Sequence, residues 1–210
     1  MSEGLRERKK AETRRALASA ALRLAEALGP DGVTVEAIAE AADVSPRTFF
    51  NYFSSKEEAI VGISPAHSSQ LLADLAARPP GEATLDALRA TAHDAAGRLE
   101  AAADDWMRRR SLFRRYPTLA GRHAAGLAEV ERSMVEEIAR RTGLDPDRDT
   151  YPALVVSTAL GAIRVAIAVW TERDRPGPLT DLLDEAFDHL THGLTGPLPT
   201  APAGNLTTVP

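Results

Sequence analysis

The sequence has 210 residues, 44% of them apolar, a formal net charge of -5 and no cysteine. That is enough chain and enough apolar side chain for one buried core with a smaller appendage, and it excludes fibrous and disordered classes. The missing thiols exclude disulfides, thiolate nucleophiles and zinc-thiolate sites and fit a reducing cytoplasm, while the acidic balance excludes a protein that coats nucleic acid over its whole surface.

The chain opens on MSEGLRERKKAETRR, which lacks the apolar stretch of an export signal. Between Arg6 and Arg15 six basic residues stand against two acidic ones, a local excess of +4 at the start of a predicted helix, where the positive end of the helix dipole adds to it. Leu17, Ala21, Leu24 and Leu28 then give that helix one apolar face, and Gly29-Pro30-Asp31-Gly32 stops it. Thr34 is placed to cap a short helix with Val35, Ile38, Ala39 and Ala42 inward and Glu36 and Glu40 outward, and Asp43-Val44 turns the chain. Ser45 caps the next helix with Pro46 at its first position, where proline has no amide to lose. Ser54-Ser55 end this second helix and cap another beginning at Lys56. The result is a helix, a tight turn and a helix, flanked by one more helix on each side.

Helical periodicity continues to the C-terminal region, with helices expected over 55–77 (kinked near Pro65), 84–103, 105–115, 118–141, 150–173 and 180–194. Nothing alternates with the period of a strand, so the predicted fold is all-α. The expected division is a helix-turn-helix unit over 1–62, a helical regulatory and dimerisation domain over 63–194, and a proline-rich disordered tail over 195–210. The segment YPALVVSTALGAIRVAIAVW, 151–170, is apolar for almost the length of a membrane span, but Pro152, Gly161 and Arg164 interrupt it. It reads as a core helix buried on most sides, with no membrane partner.

Helix-turn-helix units lay their second helix in the major groove of DNA with its N-terminal residues at the base edges. Here the early outward positions are Pro46, Arg47, Thr48 and Asn51, and arginine, asparagine and threonine are the side chains that discriminate guanine, adenine and thymine. The stretch SPRTFFNYF also holds four of the chain's ten aromatic residues. Phe49 and Phe53, four apart, are expected to face inward, with Phe50 and Tyr52 toward DNA or the edge of the groove. The Tyr52 hydroxyl and the Lys56 ammonium are placed to meet a phosphate row.

The run VTVEAIAEAADVSPRTFFNYFSSKEEAIVG, Val33 to Gly62, resembles the DNA-binding domain of the TetR/AcrR family of bacterial transcriptional repressors. The form VSPRTFFNYFSSKE is most similar to actinobacterial members with an acyl-CoA-like ligand-binding domain. The resemblance implies that Thr34, Tyr52 and Lys56 contact phosphates and that Arg47, Thr48 and Asn51 face bases. Phe50 stands where the family's motif commonly has tyrosine, and Glu36 where some relatives carry a basic or polar base reader. It also implies a homodimer formed through the last two long helices, reading two half-sites of a DNA operator.

The middle helices are then expected to enclose an effector. WMRRRSLFRRYP, 106–117, mixes aromatic side chains with five arginines, which suits a small anionic amphiphile such as an acyl-CoA. The expected lining is Trp106, Arg110, Phe113 and Arg114 with Leu160, Arg164 and Ile167 of the long apolar helix, and Arg109 is a further candidate for the anionic end. Arg164, charged inside an apolar helix, calls for an acidic partner, a ligand carboxylate or an intersubunit pair. Glu185, His189 and His192 share a helical face that zinc could use, but a histidine at a helix C-terminus is favoured by the dipole alone, and no metal, cofactor or catalytic residue is expected. His67, His93 and His123 read as isolated and exposed. A constitutive architectural DNA binder would leave the helical domain without a task, and a helical enzyme lacks an acid-base pair in a cleft.

Overall fold

A computed structural model of the chain describes residues 2–62, 65–172 and 177–196, with side chains described from residue 8 in the first helix and from residue 69 in the fifth. The described residues form helices α1 (Ser2–Leu28), α2 (Val35–Ala41), α3 (Pro46–Phe50), α4 (Lys56–Val61), α5 (Pro65–Ala76), α6 (Thr84–Ala101), α7 (Ala103–Arg115), α8 (Pro117–Thr142), α9 (Thr150–Glu172) and α10 (Leu179–Thr191). The side chains of Arg6 and His67 and the tail from residue 197 lie outside the described residues.

Short helices need defined ends, and the sequence supplies them. Thr34 accepts a hydrogen bond from the Ala37 amide at 3.1 Å, Ser45 from Thr48 at 3.1 Å and Ser55 from Glu58 at 3.2 Å. Each satisfies an amide that has no partner inside its helix. Residues 55–77 are two helices rather than one with a kink. Gly62, at φ 78°, takes the left-handed conformation that ends α4, its amide bonded to the Glu58 carbonyl at 2.9 Å, and Pro65 opens α5.

Two cores form. The first gathers Leu17, Leu22, Ile38, Phe49, Phe53 and Ile60 from α1 to α4, and also Leu112 and Leu119 from α7 and α8, with Phe113 and Tyr116 packed on its flank. The second joins Leu88, Met134, Ile138, Val156, Trp170, Leu183 and Phe187 from α6 and α8 to α10. Burying a side chain of this size contributes about 1.5–3 kcal/mol, so the 112–119 region is held chiefly by the N-terminal unit. Along α1 Leu17, Ala20, Ala21, Leu22 and Ala25 face inward, all at 1% exposure or less, while Leu28, expected on that face, is 59% exposed.

Helix α9 also departs from its expectation. It packs on α6, α8 and α10, but Tyr151, Leu154, Arg164 and Val165 lie bare on its other side, Leu154 at 64% and Val165 at 59% exposure. All-round apolarity predicted burial on most sides; one chain by itself supplies neighbours for only part of the helix.

Candidate nucleic-acid interface and its link to the regulatory helices

Helix α3 has five residues, too few to persist alone, and its geometry shows what holds it. Phe49 is fully buried, edge-to-face with Phe50 at 5.4 Å and tilted against Phe53 at 5.7 Å. With Phe49 pinned, Pro46, Arg47, Phe50 and Asn51 are exposed together, Phe50 at 59%, while Thr48 and Tyr52 are half-buried. The Thr48 hydroxyl lies 2.9 Å from that of Ser45, so it is part of the helix cap. Thr34 uses its oxygen as acceptor for Ala37 and keeps its hydroxyl proton for an outside acceptor.

Two basic side chains of this unit act as internal clasps. Arg14 donates from Nη1 to the carbonyl of Tyr52 at 2.6 Å, lies 4.2 Å above the centre of the Phe53 ring and places Nη2 3.7 Å from Glu58. It therefore ties α1 to the end of the recognition helix instead of joining the solvated basic block. The Lys56 ammonium donates to the carbonyls of Val33 at 2.8 Å and Asp31 at 3.4 Å, fixing the turn before α2. Its expected phosphate role thus rests on a half-buried charge already bonded to the protein.

A second set of arginines joins this unit to α7. Arg109 is buried, at 8% exposure, and donates from Nε to the Ile60 carbonyl at 3.0 Å, satisfying an end carbonyl of α4. Arg109 is thereby part of the seam between the N-terminal unit and α7. The position of its side chain requires Gly62: a Cβ there would sit 2.7 Å from Arg109 Nε. Arg108 bonds Glu26 of α1 at 2.9 and 2.5 Å, and this hydrogen bond, against a smaller cost of burial, holds the Glu26 carboxyl below the usual carboxylate range.

The seven residues expected around an effector lie on α7 and α9. Trp106 and Phe113 meet at 6.3 Å, and His123 stacks on Phe113 at 4.7 Å with its ring 5.2 Å from Trp106. Burial, reinforced by the charge of Arg109, lowers the His123 pKa, and its Nδ1 is buried without a hydrogen-bond partner. Arg110 stands 3.7 Å from Glu172, while Arg114 is exposed. Leu160 and Ile167 pack against the second core, and Arg164 points outward from the bare side of α9, without an ion-pair partner among the described residues. The histidines also differ from expectation. His93 Nε2 lies 2.8 Å from Asp184, which also receives Arg89, and His123 belongs to the aromatic cluster. Just past the end of α10, His192 Nδ1 is 2.7 Å from the Asp188 carbonyl.

Sequence reading did not assign Arg14, Arg109 and Gly62 to the seam between the units, although for the two arginines a signal was present. Arg14 precedes Leu17, Ala18 and Ala21, and Arg109 precedes Leu112, Phe113 and Tyr116, each at i, i+3, i+4 and i+7. An arginine at the head of an apolar stripe faces the same way as the stripe.

Residues 17–60 match the family described as bacterial regulatory proteins, tetR family, and residues 82–195 match the MftR C-terminal domain. The HTH-type transcriptional regulator TcmR of Streptomyces glaucescens is 36% identical over 173 residues, which cover 80% of this chain and 76% of that protein. The chain belongs to the TetR family. MftR of Mycobacterium tuberculosis, whose name refers to mycofactocin biosynthesis, is 29% identical over 187 residues, 89% of this chain and 93% of that one. The fold of this TetR-family regulator is shared with the fatty acid degradation regulator FadR from Bacillus halodurans, at 18% identity and a TM-score of 0.56 over 87% of this chain and 96% of that one. The family match makes α2 and α3 a DNA-binding helix-turn-helix and the chain a transcriptional regulator.

Proposed function

We propose that this TetR-family protein is a cytoplasmic repressor that grips a palindromic operator as a homodimer and lets go when a small amphiphilic effector, such as an acyl-CoA, binds. The observation that carries the reading is the exposure of Arg47 and Asn51 on a helix whose only buried residue is Phe49. In the groove these two side chains read bases, with the Thr48 methyl and the Phe50 ring against them, Pro46 at the entry, and Thr34, Tyr52 and Lys56 on phosphates. One such helix discriminates weakly, so two are needed about one turn of DNA apart.

The bare side of α9 supports the homodimer. Tyr151, Leu154, Gly161 and Val165 recur at helical spacing, and two copies of α9 and α10 would form a four-helix bundle that covers them. In the bundle Arg164 lies at the subunit boundary, where an acid of the second copy can meet it. For the effector, α7 offers the charges of Arg110 and Arg114 and the rings of Trp106 and Phe113, and α9 the apolar side chains of Leu160 and Ile167. An effector releases DNA only if it binds better to a dimer whose recognition helices have the wrong spacing. Footprinting of the purified protein on genomic DNA, with and without an acyl-CoA mixture, tests the reading. Protection over two symmetric half-sites that disappears with ligand is the expected result; absence of sequence-selective protection would refute it.

A further inference from the structure

Helix α1 begins at Ser2, but the first of its described side chains to enter the N-terminal core is that of Leu17, so the helix runs on for about four turns past its packing. Arg8, Lys9 and Lys10 are exposed on this overhang, and none has a carboxylate partner among the described residues. Over residues 8–16 five cations stand against one acid, Glu12, in a chain whose net charge is -5. An acidic chain that gathers cations on one projecting helix offers a polyanion a local target. The overhang also gains little from burial, and a helix of this length is marginal in water by itself. Lys10 and Arg14, four residues apart, carry like charges, which weakens it further. An anionic surface alongside offsets both costs.

The position of the overhang selects the polyanion. Arg14 holds α1 against the Tyr52 carbonyl and over the Phe53 ring, just past the exposed Asn51 of the recognition helix. Lys10 lies one turn before Arg14 on the same face of α1, about 6 Å along the axis, and Arg8 lies about 9 Å along it. Both are within about one Debye length of that anchor at physiological salt. DNA lines its grooves with one negative charge per about 1.7 Å, so a helix fixed beside the groove-reading residues has phosphates within reach.

We propose that the α1 overhang is a second DNA contact, in which Arg8, Lys9 and Lys10 neutralise about two or three phosphates at the rim of the groove, beyond those met by Thr34, Tyr52 and Lys56. The inference rests on the reading of α3 as the helix that enters the groove. Cations held at the rim meet phosphates and no base edges. The overhang therefore adds affinity and salt dependence and leaves base preference to Arg47 and Asn51.

The test compares the full-length protein with a variant carrying Arg8→Gln, Lys9→Gln and Lys10→Gln, which removes three charges and keeps good helix formers; an unchanged thermal transition shows that the fold is intact. Both are titrated by fluorescence anisotropy onto the duplex that the wild type selects, between about 50 and 200 mM salt. The slope of log K against log salt becomes shallower in the variant by about 1.8–2.7 for each half-site, 0.9 for each phosphate lost, so the advantage of the wild type shrinks about 10- to 40-fold per half-site across that range. Ethylation interference locates the change: about two or three phosphates per half-site cease to matter in the variant, and selection on randomised half-sites returns the same base preference. Selective binding by both proteins with equal salt slopes, or with identical interference patterns, overturns the overhang contact and leaves the repressor reading standing. A wild type without selective binding overturns both.

Discussion

Gly62→Ala is the sharpest probe of how the two units are joined. The residue stands at φ 78°, and an added Cβ would approach Arg109 Nε to 2.7 Å and Cζ to 2.8 Å. Alanine in the left-handed region costs roughly 1–2 kcal/mol. The guanidinium is buried and bonded to Ile60, so it can retreat only by breaking that charge-assisted bond, a further loss of about 1.5–3 kcal/mol. Together these predict a destabilisation of about 2.5–5 kcal/mol, a large share of the roughly 5–15 kcal/mol that holds a domain. Urea unfolding followed by circular dichroism measures it, and a double-mutant cycle separates the two parts. In an Arg109→Met background there is no guanidinium to displace, so Gly62→Ala retains only the backbone cost of about 1–2 kcal/mol. If the two single costs add to within about 0.5 kcal/mol, the steric coupling between Gly62 and Arg109 is refuted.

Three further outcomes follow from the same geometry. Arg47→Ala removes a base reader but no core contact, so in selection on randomised half-sites it relaxes preference at one base pair by about 1–3 kcal/mol while the melting temperature stays put; retained selectivity would remove its assignment. Leu154→Glu with Val165→Glu places two charges on the bare side of α9, and sedimentation should show the dimer weakened by more than about 30-fold with helix content unchanged. An unaltered association constant would move the interface elsewhere. His123 has its pKa lowered by burial and then by Arg109, so the unfolded chain binds the proton first as pH falls through about 6.5. The stability it contributes is complete above that pH and declines toward the folded-state value, and His123→Phe, which keeps the stacking, flattens unfolding free energy between neutral and mildly acidic pH relative to wild type.

The sequence by itself determined what depends on local chemistry. Caps at Thr34, Ser45 and Ser55, the proline at the start of α3 and the glycines that end helices act within a turn of their own position, so the helix-turn-helix and most helix boundaries were legible. The inward role of Phe49 and Phe53 followed from their spacing, because four residues return a side chain to the same face. What only the tertiary structure decided is how charges are spent and which elements share a core. Arg14, Lys56 and Arg109 looked like free cations because nothing within a few residues accepts from them. Their acceptors are the carbonyls of Tyr52, Val33 and Ile60, 38, 23 and 49 residues away along the chain. The same holds for the 112–119 segment, whose apolar residues are periodic in sequence but find their partners in α1 to α4. For α9, apolarity showed that the helix must be covered, whereas the side left bare by its own chain emerged only once α6, α8 and α10 had taken their places. Local sequence sets the conformation of a segment; distant packing decides whether its charges meet DNA, a ligand or the protein's own backbone.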